Sequence, residues 1–175
     1  GITLAVDVIH KHVGKGGRLG MLMGRETAVR MPLADLFSLQ RKLGEISFQD
    51  MTAEIQHIRM VKSQAEQAKL RHICGIVSDV FAHVPDWLQP GMPFDSCFRL
   101  FKIDALERGV DDVSYLVGGI GAGGYEDIIA PPVSKAVATG DVLMFDTGCV
   151  WDGYYSDFDR NFGVGSASNE AQDAH

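Results

Sequence analysis

The segment Met144–Arg160, MFDTGCVWDGYYSDFDR, constrains the fold more than any other part of this chain. The apolar run Val142-Leu143-Met144-Phe145 leads into it and reads as a strand, and a second short stretch follows Trp151-Asp152-Gly153. Asp-Gly between two such runs is a strong hairpin signal, because both residues tolerate the left-handed backbone that a tight hairpin turn needs. If the chain folds back between Trp151 and Asp152, Asp146 stands opposite Asp157, eleven positions later. A turn centred on Asp152-Gly153 places Asp159 there instead. Residues directly opposite share a face, with Cβ atoms roughly 4.5–5.5 Å apart, so either register sets two carboxylates side by side. Such a pair repels, and its apolar strand adds a desolvation cost. A shared proton, a basic side chain such as Arg160, or a bound cation would offset both. An exposed acidic hairpin without chemistry is the bland alternative.

The rest of the chain reads in two parts. Residues 1–49 suggest a short α/β segment: a helix over Ile2–His12 with Leu4, Val8 and Ile9 in helical spacing, a break at GKGG, and a strand from Arg18 to Met23. A helix over Pro32–Leu43 follows, with Leu33, Leu36, Phe37 and Leu39 on its apolar side, then a strand near Ile46–Phe48. A sheet that begins so abruptly suggests that sequence precedes it. From Asp50 the pattern turns to long helices. Ser63 and Glu66 form a capping box, and Leu70, Ile73, Val77, Val80, Phe81 and Val84 recur at three- and four-residue steps until Pro85. A second helix spans Phe94–Glu107 and ends at Gly109. Beyond Asp112 the texture is β: Val113–Val117, the cluster GGIGAGGY, Glu126–Ala130, and the aspartate hairpin. The boundary between the parts falls near residues 49–55.

Composition excludes several classes. A net charge of −7 over 175 residues argues against nucleic acid as the main partner, since phosphate binding needs a basic surface. No apolar run approaches the roughly 20 residues of a membrane span, and the N-terminus lacks a signal-peptide pattern, so a cytoplasmic protein is expected. The three cysteines, Cys74, Cys97 and Cys149, show no Cys-x-x-Cys spacing and are expected to be reduced and mostly buried. Cys149 is read as a small strand residue rather than a soft metal ligand. The histidines do not cluster, which leaves no Ser-His-Asp or Cys-His arrangement.

Gly119, Gly121 and Gly124 match G-x-G-x-x-G after a strand, but Pro131-Pro132 forbids the long helix that a dinucleotide site requires. A flexible or tightly turned β connection is the better reading. The Asp146-Thr147-Gly148 tripeptide also occurs in aspartic proteases, yet the chain holds no second Asp-Thr/Ser-Gly.

In order along the chain, Val61-Lys62-Ser63-Gln64-Ala65-Glu66, Pro90-Gly91, Gly140-Asp141, Asp146-Thr147-Gly148, Gly153-Tyr154, Asp157 and Arg160 resemble the creatinase/aminopeptidase, or pita-bread, family. The resemblance favours the branch of Xaa-Pro aminopeptidases, prolidases and creatinase. It covers about residues 50–175 and implies an α/β (α+β) fold: 50–175 as the first half of the catalytic domain, and 1–49 as the end of the creatinase-type N-terminal domain. It implies a hydrolase of peptide or amide C–N bonds, whose two divalent metals (Mn, Co or Zn) are held by two Asp, one His and two Glu. A metal-bridging water would be the nucleophile. Asp146 and Asp157 fall on the first two ligands. The other three lie farther along in the family, and His175 is too close to Asp157 to be one of them. The expectation is a truncated chain, inactive alone, with weak or absent metal binding. The family's peptidases carry a histidine seventeen positions before the first aspartate, where this chain has Ile129. That departure raises a small-molecule C–N hydrolase of the creatinase or ectoine-hydrolase kind, and a non-catalytic binding module is the other alternative. Asp159 reads as an extra carboxylate, beside the ligands or simply holding Arg160. Relatives with such an N-terminal domain are commonly dimers, so oligomeric state stays open between monomer and homodimer.

Overall fold

A computed structural model describes residues 1–174; His175 lies outside the described residues, and with it the expectation attached to that histidine. The chain divides into two compact units, 1–62 and 63–174.

The first unit is built on β1 (Arg18–Met21) and β2 (Ser47–Asp50), paired in parallel from Arg18↔Ser47 to Met21↔Asp50. Parallel neighbours need a crossover, and α2 (Leu33–Leu43) provides it, with α1 (Ile2–Val13) ahead of β1. Val6, Leu39, Leu43 and Ile46 are buried together, with Ile2, Ala5, Ile9, Val13, Leu19 and Phe48 against them. The helices lie where the periodicity places them, but only part of each expected face is inward: Ile9 and Leu39 meet the core. Leu4 and Val8 on α1, and Leu33 and Phe37 on α2, are exposed, while Leu39 and Leu43 face inward. Several of the apolar residues on each helix fit a 3.6-residue period, and it is Val6 and Leu43, left out of the periodic sets, that complete the buried stripes. A third helix, α3 (Thr52–Met60), closes this unit. Asp50 starts it: its Oδ1 accepts from the Thr52 amide at 2.9 Å and from the Thr52 hydroxyl at 2.5 Å.

The second unit packs two helices on one face of an antiparallel sheet. Helix α4 (Gln64–Trp87) begins with the expected capping box: the Ser63 amide donates to Glu66 Oε2 at 2.7 Å, and the Glu66 amide donates to Ser63 Oγ at 3.3 Å. Its buried stripe is Ile73, Val77, Val80, Phe81 and Val84, as the periodicity requires. Pro85 does not stop it. The helix runs to Trp87, and the Leu88 amide still reaches the Val84 carbonyl at 3.0 Å, so the proline costs one bond in the last turn. Helix α5 (Phe94–Glu107) ends at Gly109, φ 100°, in a Schellman arrangement: Gly109 donates to Leu106 and Val110 to Ala105.

The sheet is β3 (Asp112–Ala122), β4 (Asp141–Trp151), and the short β5 (Tyr154–Tyr155) and β6 (Phe158–Gly163), both paired with β4. A final short helix, α6 (Asn169–Asp173), follows. The glycine cluster is not a connection: β3 runs straight through Gly118, Gly119 and Gly121. The missing side chains make room instead, since a β-carbon on Gly119 would strike Tyr125 and the Asp127 carbonyl, which fold back over the sheet. Glu126–Ala130 is correspondingly not a strand; Ala130 makes only an isolated bridge to Gly118. Leu143, Phe145, Thr147 and Cys149 of β4 point into the helices and are fully buried. Phe145 sits among Phe94, Phe98, Phe101 and Trp87, with ring centroids 5.2–6.5 Å away.

Candidate metal centre

The even-numbered residues of β4 face away from the helices, because strand side chains alternate. Met144, Asp146 and Gly148 therefore share the second face, which the long helices leave open. Asp152 and Gly153 have φ of 47° and 77°, both left-handed, as a two-residue type I′ turn demands. The register follows from that turn: Trp151↔Tyr154, Val150↔Tyr155, Thr147↔Phe158 and Asp146↔Asp159. Asp159, not Asp157, stands directly opposite Asp146. The fold-back between Trp151 and Asp152 is thus corrected to the alternative centred on Asp152-Gly153, which the backbone conformation of those two residues selects. Lys69 holds the turn from α4, 2.6 Å from Asp152 Oδ2, and Tyr154 donates to Glu66 Oε1 at 3.1 Å.

Asp157 reaches the same face by continuation of this register. Between β5 and β6 the ladder is irregular: the Ser156 amide donates to the Cys149 carbonyl at 2.9 Å, and the Cys149 amide donates to the buried Ser156 hydroxyl at 3.1 Å. Asp157 then falls across from Gly148, diagonal to Asp146. What joins the two carboxylates is a residue that the sequence did not single out. Tyr115 pairs with Gly148 on the β3 side. Its ring lies over Gly148, where any β-carbon would collide with it, and its hydroxyl donates to Asp157 Oδ1 and also lies 3.4 Å from Asp146 Oδ1. Tyr115 is on this face only because β3 bulges between Val113 and Tyr115. Were Ser114 paired in regular register after Val113, Tyr115 would oppose Thr147 and point at the helices. Alternation alone therefore assigns it to the wrong side, and no sequence signal marks Ser114 as a bulge.

The electrostatics are those of crowded anions. Burial raises the Asp146 carboxyl above its ordinary value, and the charges of Asp157 and Asp159 raise it further; hydrogen bonds from Tyr115 and the Thr147 backbone pull the other way. Desolvation, the bond to Asp157 and the two negative charges likewise push the Tyr115 hydroxyl up, so it remains a donor at neutral pH. Arg160 does not neutralise the pair. It pairs with Phe145 on the helix side, its guanidinium lies 5.0 Å and 5.9 Å from the Phe158 and Phe81 rings, and it donates to the Asp159 carbonyl rather than to a carboxylate. Odd–even alternation from Asp157 would have found this. Cys149 is buried on the helix side with its thiol raised by burial, which makes it a core residue.

Asp146 and Asp157 suit a hard or borderline divalent cation: oxygen donors, surplus negative charge and mutual repulsion that a cation would relieve. They fit as part of a site, since among the described residues no group of three or more His, Cys, Asp or Glu is placed to hold a metal. Ile129 is 71% exposed on the segment after β3. Beside that segment, a cavity of about 620 Å³ is lined by Gly119, Gly121, Tyr125, Asp127, Pro131 and Lys135 among others.

The family profile described as Metallopeptidase family M24 matches residues 68–175. The chain belongs to metallopeptidase family M24. Among curated relatives, this M24 chain is 25% identical over 123 residues to the uncharacterized peptidase YqhT of Bacillus subtilis, covering 69% of the chain and 34% of that protein. It is 24% identical over 152 residues to the probable dipeptidase PepE of Mycobacterium tuberculosis, covering 83% of the chain and 37% of the relative. An X-Pro aminopeptidase from Thermotoga maritima superposes with a TM-score of 0.79 at 19% identity, over 98% of the chain and 47% of that structure. An Xaa-Pro dipeptidase from Bacillus anthracis gives 0.80 at 18% identity, over 98% and 46%. The M24 chain thus has the mixed α/β fold of these pita-bread proteins. It spans about a third of the length of the curated relatives and under half of the solved chains.

Proposed function

We propose that Asp146 and Asp157 are two of the ligands of a dimetal centre in a hydrolase of peptide or amide C–N bonds, of the Xaa-Pro peptidase kind. The observation that carries this reading is the pair of carboxylates gathered on the open sheet face with no basic side chain among the described residues bonded to them. Divalent cations, when bound, would supply Lewis-acid polarisation of the scissile carbonyl and activation of water for attack. This chain's own residues fix the ligand geometry: the type I′ turn sets the register, Lys69 and Glu66 anchor the hairpin to α4, and Tyr115 crosses Gly148 to reach both acids. The family resemblance implies that the remaining His and two Glu ligands come after these aspartates, so two carboxylates alone would bind metal weakly. Residues 1–49 fit the end of an N-terminal α/β domain and 50–175 the first half of the catalytic domain.

Calorimetric titration of the chain with Mn²⁺ or Co²⁺ tests the site. Weak binding is expected in the wild type and none with Asp157→Asn; equal heats from both proteins would sink the assignment. In a protein spanning the length of its relatives, the same substitution should abolish hydrolysis of an Xaa-Pro dipeptide, and so should chelation.

A second reading concerns the substrate. Where peptidases of the family place a histidine, this chain exposes the apolar Ile129, which cannot move a proton. That favours a small amide whose leaving group is protonated by other means. Comparing an Xaa-Pro dipeptide with small amides as substrates decides between the two.

A further inference from the structure

We propose that Tyr115 is a displaceable clamp, whose hydroxyl holds Asp146 and Asp157 together through the same oxygens that a divalent cation would take. The inference rests on the metal reading of these two aspartates and adds a positioning residue to it. Three observations converge on it.

The first is the choice of atoms. The hydroxyl donates to Asp157 Oδ1 and stands 3.4 Å from Asp146 Oδ1, so it meets one oxygen of each acid at the point between them. A cation held by those carboxylates would draw on the same carboxylate lone pairs. Hydroxyl and cation therefore compete.

The second is delivery. Tyr115 reaches this face only through the bulge between Val113 and Tyr115, and its ring crosses β4 only because residue 148 has no side chain. The Thr147 hydroxyl donates to the Tyr115 carbonyl at 2.8 Å and holds the backbone beside the bulge. A bulge, a glycine and a buried threonine thus all serve the placement of one phenol. A ring that merely filled space would need none of the contact that its hydroxyl makes.

The third is freedom to leave. Tyr115 is 37% exposed, so its hydroxyl can swing towards solvent without opening the core under β4. Phe145 and Leu143 lie on the other side of the sheet and are untouched by that movement.

Two effects of the hydroxyl then oppose each other. It keeps the acids close, which favours capture of a cation, and it occupies their inner oxygens, which disfavours it. Occupation dominates, because a hydrogen bond to an ionised group is among the stronger ones and has to be broken at each binding event.

The experiment compares wild type, Tyr115→Phe, Asp157→Asn and the double variant, all freed of metal with chelator and then desalted. Free Mn²⁺ is followed by electron paramagnetic resonance, and Tm is recorded with and without the ion. Tyr115→Phe keeps the ring over Gly148 and should bind Mn²⁺ about tenfold more tightly, the ratio that loss of one such hydrogen bond produces. Without metal, its Tm should fall, the fall should be smaller in the Asp157→Asn background, where the acceptor is neutral, and Mn²⁺ should restore it. Unchanged or weaker Mn²⁺ binding by Tyr115→Phe, while Asp157→Asn still abolishes binding, overturns the clamp and leaves the metal reading standing. If Mn²⁺ binds none of the four proteins, or binds Asp157→Asn as well as wild type, the metal reading fails and takes the clamp with it.

Discussion

Asp146 carries a charge that its surroundings disfavour. Its carboxyl lies above the ordinary value of 3.8 because it is desolvated and faces the negative charges of Asp157 and Asp159. A carboxyl raised in the folded state binds more protons there than in the unfolded chain, so folding is favoured most below the unfolded value. That contribution is lost as pH rises through the folded value. Asp146→Asn removes the titration while keeping an acceptor for Tyr115. In chelator-containing buffer its Tm relative to wild type should therefore climb as pH rises above the ordinary carboxyl value of 3.8. Parallel Tm curves for the two proteins would contradict the crowding described here. Both aspartates were legible in the sequence, since an apolar strand followed by Asp-Gly forces two acids onto one face in either register. Tyr115 was not, because a bulge inverts the alternation that would have been used to find it. Arg160 was misjudged as a neutralising partner although its position next to Asp159 already assigns it to the opposite face.

At the scale of elements, the hairpin turn carries the most consequence per residue. Asp152 and Gly153 both hold left-handed backbone, and the glycine does so without a β-carbon to strain. Gly153→Ala is expected to cost about 1–2 kcal/mol, the usual penalty for a side chain in that region, measured by urea unfolding of the second unit. The same variant should weaken Mn²⁺ binding, since Asp157 depends on the turn for its register; full affinity in a destabilised protein would detach the site from the turn. Elements with strong local chemistry were the legible ones: the Ser63–Glu66 box, the α4 stripe, and the glycine cap of α5. Pro85 misled because its cost falls in the last turn, where few bonds remain to lose. The glycine cluster misled because Gly119 and Gly121 serve space rather than turning, letting residues 124–127 lie over the strand.

Across the whole molecule, the two units differ in what holds them. The second rests on an aromatic centre, with Phe145 ringed by Phe94, Phe98, Phe101 and Trp87 beneath the carboxylate face. Phe145→Ala should cost about 3–5 kcal/mol by chemical denaturation, the range for deleting a buried phenyl group, and a loss below 1 kcal/mol would mean that the centre collapses to fill the space. The first unit has a smaller core around Val6, Leu39, Leu43 and Ile46, and leaves Leu4, Val8, Leu33 and Phe37 exposed. Its element order was legible and its inward faces were not, because several apolar residues on each helix fit the period and only tertiary packing chooses among them.

The irregularity at Ser114 also has a meaning for how sequence change is tolerated here. The stretches of β3 before and after it run out of phase, so the strand acts as a switch of phase between Val113 and Leu116, both of which face the helices. Deleting Ser114 would join the two registers into one regular ladder, Val113↔Cys149 followed directly by Tyr115↔Gly148, and would leave Tyr115 on the carboxylate face. A neighbourhood that looks like an imperfection in the ladder is thus the spot where a single deletion would be absorbed without moving the phenol away from the two aspartates.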